Sequence, residues 1–140
     1  NNVEDSMGRV KFVLFYLAGG AAALALQVLV DPSSGVPTVG ASGAIAAVLG
    51  GYILLYPRAR VLTLIFIIIF FTILELPAML VLGLWFLEQA VFGATNLTHP
   101  TGGGGGVAYF AHIGGFAFGL LTIKALARRV KSVPPRLPVY

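Results

Sequence analysis

Ser42 and His112 are the residues of this chain whose types and placement could do chemistry. Each lies near one end of an apolar segment, inside a cluster of small residues: 40–43 (Gly-Ala-Ser-Gly) and 111–115 (Ala-His-Ile-Gly-Gly). Polar side chains are unfavourable in hydrocarbon unless they are paired or hydrated. A serine hydroxyl becomes an effective nucleophile when an adjacent base takes its proton, and imidazole suits that role near neutral pH. At a common depth, the pair predicts nucleophilic catalysis.

The composition places both residues in a membrane protein. The 140 residues are 58% hydrophobic and only 10% charged, with a mean hydropathy of +0.94, whereas soluble domains carry roughly 25% charged residues. The chain has no cysteine, which excludes disulfides, thiolate metal sites and a cysteine nucleophile. The first residues are polar and acidic, unlike a signal peptide, and the absence of an initiator methionine suggests a fragment of a longer protein.

Four segments are apolar enough to span a membrane as helices of about 17 to 25 residues. They are residues 12–30, 39–56, 76–92 and 107–123, followed by a basic tail over 124–140. Pro77 is expected in the first turn of the third span. The preceding stretch, 61–73, is rich in isoleucine and phenylalanine, so it is either extended or lies along the membrane interface. The sequence therefore predicts an all-α membrane protein with one domain over residues 1–140.

Charge fixes the expected orientation of these spans. All nine Lys and Arg residues fall on one side of the four-span arrangement, which the positive-inside rule makes cytoplasmic. The second and fourth spans then begin at the outer side, and at 1.5 Å per residue Ser42 and His112 lie roughly 5 and 8 Å below those helix ends.

Small residues would allow these two helices to touch. Gly50 lies on the second span, and Gly115 and Gly119 form a G-x-x-x-G pattern on the fourth. A serine at a helix start also lies beside outward-pointing backbone N–H groups that can hold an oxyanion. We expect the backbone of Gly40, Ala41, Ser42 and Gly43 to form that site.

The two clusters resemble those of the rhomboid intramembrane serine proteases. The resemblance runs along the whole chain and includes Tyr56-Pro57-Arg58, and Glu75-Leu76-Pro77-Ala78 with Trp85 and Gln89. It implies a rhomboid-like helical bundle in which the four spans are helices three to six of a six-helix core. It also implies that Ser42 is the nucleophile and His112 its general base, with no cofactor.

The same resemblance implies features around the dyad. A histidine and an asparagine that help to bind the oxyanion would lie upstream of residue 1, so the chain alone could be inactive. Trp85, Gln89 and Phe92 would line a lateral gate, and the glycine run 102–106 would cap the site. Ala46 stands where some members carry a tyrosine that stacks on the histidine, which leaves Phe116 or a residue outside the chain to do so.

Several alternatives remain open. Glu88 either touches His112 or, as we favour, is an interfacial carboxylate, and His99 is assigned no role. No H-E-x-x-H motif or intramembrane aspartate pair supports another protease chemistry, and no metal site is predicted.

The first hypothesis is a serine endopeptidase that cleaves transmembrane substrates near the outer face of a bacterial inner (plasma) membrane. The others are a non-catalytic binder of transmembrane helices and a small channel or transporter. The expected partners are transmembrane substrates and the lipid bilayer, and not nucleic acid; the oligomeric state is left open.

Overall fold

The structure is a bundle of helices with one β-hairpin. It is a computed structural model that describes residues 1–33, 35, 37–67, 70–98 and 107–128. The elements are α1 (Asn2–Met7), α2 (Arg9–Val30), α3 (Ser42–Leu55), β1 (Arg60–Ile67), β2 (Phe70–Pro77), α4 (Ala78–Thr98) and α5 (Tyr109–Leu126). The predicted helical membrane bundle is thus confirmed. Three helices (α2, α4 and α5) are long and apolar enough to cross a membrane, and α3 is a shorter apolar helix.

Helices α2, α3 and α5 pack together most extensively, and α4 packs mainly against α5. The buried face of α2 follows a helical spacing of four residues, with Phe15, Gly19 and Ala23 pointing inward. Small residues at this face let the backbones approach closely: a Cβ added at Gly19 would overlap the Cβ of Ala47 on α3. Large apolar side chains elsewhere on α2, such as Leu17 and Leu29, remain exposed, as expected for a lipid-facing surface.

The short length of α3 recesses its first residue into the bundle. Its 14 residues span about 21 Å, whereas the 22 residues of α2 span about 33 Å. The two helices share one end of the bundle, where the Tyr56 hydroxyl donates a hydrogen bond to the carbonyl of Asn2. Gly43 lies against Ala23, seven residues before the end of α2, so α3 begins about 10 Å below that end.

The stretch before α4 forms two antiparallel strands, which corresponds to the extended alternative of the sequence-based prediction. Strands β1 and β2 pair in register from Arg60 opposite Pro77 to Ile67 opposite Phe70. Pro77 is the last residue of β2 and not, as the sequence predicted, part of the first turn of a helix. The amides that follow it are tied back to the end of α3 instead, since Ala78 N–H donates to the Ala59 carbonyl. The hairpin therefore begins and ends at the same end of the bundle.

Basic residues gather at that same end. Arg9 and Lys11 lie at the start of α2, Arg58 follows α3, and Lys124 lies in the last turn of α5. The backbone N–H of Arg128 donates to the carbonyl of Ser6, which joins the end of α5 to α1. The remaining basic residues of the tail, beyond residue 128, lie outside the described residues, as do His99 and the glycine run 102–106.

Candidate active site

Ser42 is the first residue of α3, and a turn at Gly40 precedes it. Gly40 has a φ of +121°, a backbone conformation that a residue with a Cβ rarely adopts. Ala41 occupies the N-cap position without a side-chain capping bond. The first helical hydrogen bond runs from Ile45 N–H to the Ala41 carbonyl, so the amides of residues 42–44 precede the helical ladder. The side chain of Ser42 is exposed at the recessed start of the helix.

His112 lies in the first turn of α5 and meets Ser42 directly. Its Nε2 atom is 2.9 Å from Ser42 Oγ, a hydrogen-bonding distance. The two residues are 70 positions apart in sequence, so only the packing of α3 against α5 brings them together. The sequence predicted a similar depth for these two residues, and the structure brings their side chains into contact.

Backbone-to-backbone packing fixes the separation of these two helices. Gly115 lies against the Gly43 carbonyl, Gly119 against the Ala47 carbonyl and Gly50 against the Phe116 carbonyl, each so closely that an added Cβ would overlap the oxygen. Such approaches are available only to residues without a side chain. Gly43 directly follows Ser42, and Gly115 lies about one helical turn after His112. The close contact between these two glycines therefore limits the distance between the serine and the histidine.

Helix α4 contributes two side chains to the surroundings of His112. Gln89 is only 6% exposed, and its Oε1 is 2.7 Å from His112 Nδ1. The Trp85 ring lies 5.6 Å from the imidazole, centroid to centroid. Both residues were predicted to line a lateral gate, and in the structure both contact His112 on α5. The gate itself stays a prediction. Trp85, rather than Phe116, is the aromatic neighbour of His112, and Phe116 packs in turn on Trp85 at 6.0 Å.

Helix α2 supplies a polar contact that sequence reasoning did not single out. The Oε1 atom of Gln27 accepts a hydrogen bond from the backbone N–H of Ala111 at 3.2 Å. The α5 ladder begins one residue later, where His112 N–H bonds to the Ala108 carbonyl, so Ala111 has no acceptor within its helix. The sequence did contain a signal for this contact, since Gln27 is the only glutamine in the apolar segment of α2. Polar residues in such segments usually form hydrogen bonds with a neighbouring helix.

No described contact joins Glu88 or Phe92 to this pair. Glu88 is exposed, and His112 contacts Gln89 instead. The ring of Phe92 packs on Tyr109, 5.9 Å away, at the start of α5. Within the described parts of the chain, no three His, Asp or Glu side chains come close enough together to hold a metal ion.

One protein-family model matches this chain. Residues 1–129 match the family model described as the Rhomboid domain, which is nearly the whole chain. No match was found among curated proteins or among solved structures. The apolar helices agree with a multi-pass integral membrane protein. The chain therefore belongs to the rhomboid family, a family of intramembrane serine proteases.

Proposed function

We propose that this chain is a serine endopeptidase that cleaves transmembrane substrates inside the membrane, with Ser42 as nucleophile and His112 as general base. The observation that carries the proposal is the 2.9 Å separation of His112 Nε2 and Ser42 Oγ. A nucleophile within hydrogen-bonding reach of its base is the geometry that serine catalysis needs. Membership of the family supports the reaction class.

The proposed reaction has two halves. In the first, Ser42 Oγ attacks the scissile carbonyl carbon while its proton passes to His112 Nε2. The tetrahedral intermediate then breaks its C–N bond, and His112 gives the proton to the leaving amine, which leaves an acyl ester on Ser42. In the second half, His112 takes a proton from a water molecule, whose oxygen attacks the ester carbonyl carbon. The bond between that carbon and Ser42 Oγ then breaks, and His112 returns the proton to Oγ, which leaves the acid product and the free serine.

The oxyanion of the intermediate needs donors, and the start of α3 offers them. The amides of Ser42, Gly43 and Ala44 precede the first helical hydrogen bond, which Ile45 donates. Such groups, together with the positive end of the helix dipole, stabilise negative charge. This supports the predicted role of the backbone at 40–43, which also lacks bulky side chains that would exclude a substrate.

The recess supports cleavage below the membrane surface. Because α3 begins about 10 Å below the end of α2, a substrate segment must enter the bundle in extended form to reach Ser42. Transmembrane helices that unwind readily, with small residues at the bond, would meet that requirement. The basic residues at the opposite end support a cytoplasmic location for that end and cleavage near the outer face, for which we propose a bacterial inner membrane.

The test combines a fluorophosphonate probe, which labels activated serines, with cleavage of a single-span transmembrane substrate in liposomes. We expect the parent protein to be labelled and to cleave, and Ser42→Ala and His112→Ala to do neither. Ser33→Ala is the matched control, because Ser33 is an exposed serine in the loop before α3 and should leave both activities unchanged.

Three other outcomes would change or exclude the proposal. If the parent binds the substrate without labelling or cleavage, and an extended version carrying natural upstream sequence behaves alike, the chain is a non-catalytic binder of transmembrane helices. If only the extended version is active and its activity requires Ser42 and His112, the serine mechanism stands but needs groups beyond the present chain. Activity that survives Ser42→Ala would exclude the mechanism altogether.

A further inference from the structure

We propose that Gln89 is a positioning residue that selects the reactive tautomer of His112. This inference rests on the proposed function, because it concerns the imidazole that would act as the base. The Gln89 Oε1 atom is 2.7 Å from His112 Nδ1, on the side of the ring opposite the Nε2 atom that meets Ser42. The three side chains form a continuous chain of hydrogen bonds from α4 through α5 to α3.

The direction of these hydrogen bonds follows from the chemistry of the atoms. An amide Oε1 can only accept, so Nδ1 of His112 must carry the hydrogen and donate it. A neutral imidazole has one N–H, so Nε2 then presents a lone pair. That lone pair is what a general base needs to receive the proton of Ser42. In the opposite tautomer Nε2 would itself carry a hydrogen and could not act as the base.

The burial of Gln89 and the packing around His112 stabilise the hydrogen bond between these two side chains. Gln89 is only 6% exposed, so water competes poorly for its carbonyl oxygen, and leaving a buried amide unpaired is unfavourable. The Trp85 ring, one helical turn earlier on α4, packs 5.6 Å from the imidazole and restricts its rotation. Phe86 stacks on Phe116 at 4.6 Å, which holds this part of α4 against α5.

The groups that face His112 are neutral. They are Ser42 from α3, Gln89 and Trp85 from α4, and, beside its backbone, Gln27 from α2. The nearest carboxylate in sequence on α4, Glu88, is exposed. Among the described residues, the orienting partner of the imidazole is therefore an amide dipole rather than a carboxylate. Orientation and tautomer selection, not charge neutralisation, are what Gln89 supplies.

The test uses two substitutions at this position and one beside it. Gln89→Met keeps the length of the side chain and removes the acceptor, whereas Gln89→Glu keeps an oxygen acceptor. Glu88→Gln is the matched control on the exposed side of the same helix. Cleavage kinetics are measured in liposomes, and the tautomer of His112 is read by ¹⁵N NMR of histidine-labelled protein. The chain has only two histidines, so a His99→Gln background isolates the signal of His112.

We expect the parent to show a protonated Nδ1 and an unprotonated Nε2. Gln89→Met should lose that preference and lower kcat by about 10-fold to 100-fold, the range that corresponds to one lost hydrogen bond to a group that becomes charged. KM should stay close to that of the parent, since no substrate contact changes. Gln89→Glu should restore much of kcat, and Glu88→Gln should match the parent in every measurement.

The inference is overturned if Gln89→Met keeps the parent tautomer or the parent kcat. A lower kcat with an unchanged tautomer would assign Gln89 a structural role only. Failure of the proposed function is distinguishable, because it appears in Ser42→Ala and His112→Ala: if those variants retain parent activity, the serine mechanism is wrong whatever Gln89 does. If they are inactive while Gln89→Met is normal, only the present inference fails.

Discussion

At the scale of single residues, the sequence identifies reactive types better than it identifies their neighbours. Ser42 and His112 stand out because polar groups are rare in apolar spans. Gln89 and Trp85 share a helix face by their spacing, but helical periodicity cannot tell which element that face meets. The sequence therefore did not predict the contacts of these two side chains with the imidazole. Partner choice depends on the packing of α4 against α5, which the local sequence does not encode.

Gln27→Met should destabilise the protein and slow cleavage. The substitution removes the acceptor of the Ala111 N–H, and a lost hydrogen bond of this kind is worth about 1 kcal/mol. The start of α5 would loosen next to His112, so kcat should fall together with the unfolding temperature. Thermal unfolding and cleavage rates in liposomes measure both effects. Val28→Met, at an exposed position one residue further along α2, is the control; equal behaviour of the two variants would contradict this role of Gln27.

Glu88→Gln should leave the cleavage rate and its pH profile unchanged. Glu88 is exposed, and the imidazole is already paired on both nitrogen atoms with Gln89 and Ser42. Removing the charge therefore alters no described contact of the base. Initial rates from about pH 5 to 8, the range in which histidine side chains ordinarily change charge, would check this. A shift in the acid limb of the profile would show that Glu88 acts on His112 after all.

At the scale of elements, the small residues of α3 and α5 predicted helix packing well, whereas the sequence after α3 did not predict its own secondary structure. The close approach of α3 and α5 follows from glycines whose spacing is visible in the sequence. The segment 61–73 has no such pattern, because both faces of the hairpin carry exposed apolar side chains: Leu62 and Ile73 lie on one face and Phe70 lies on the other. Without an alternation of polar and apolar residues, periodicity cannot separate a strand from a buried helix.

Gly115→Ala should abolish or severely reduce cleavage. A Cβ at this position would overlap the Gly43 carbonyl, so α5 must move away from α3 and carry His112 away from Ser42. Overpacking of this kind typically costs about 1 to 3 kcal/mol of stability, and a displacement of about 1 Å can reduce a rate about 100-fold. Fluorophosphonate labelling and thermal unfolding measure the two consequences.

Gly83→Ala provides the control for that substitution. Gly83 also lies within a helix, but an added Cβ there meets no atom within 4 Å. We expect labelling and stability at least equal to those of the parent, since alanine favours a helix over glycine by about 1 kcal/mol. If Gly83→Ala were as damaging as Gly115→Ala, general sensitivity of the bundle, and not the contact between α3 and α5, would explain the loss.

At the scale of the whole molecule, two properties of the chain define a direction. The reactive pair lies toward the end of the bundle where α2 terminates and α5 begins, whereas α1, the hairpin base and the basic residues lie at the other end. The position of the reactive pair follows from the short length of α3. The position of the basic end follows from the distribution of charge along the chain. The sequence-based prediction of this direction used charge and apolar length, which are properties of whole segments and depend little on side-chain packing.

Cysteine labelling should reveal this direction in the membrane. The chain has no cysteine of its own, so a single introduced thiol reports without background. We expect Ser33→Cys, in the exposed loop after α2, to react with a membrane-impermeant maleimide in intact bacterial cells, because the positive-inside rule predicts that the basic end lies in the cytoplasm. Asn1→Cys, exposed at the basic end, should react only after the membrane is permeabilised. The opposite pattern would place Ser42 near the cytoplasmic face and require substrates to be cut on that side.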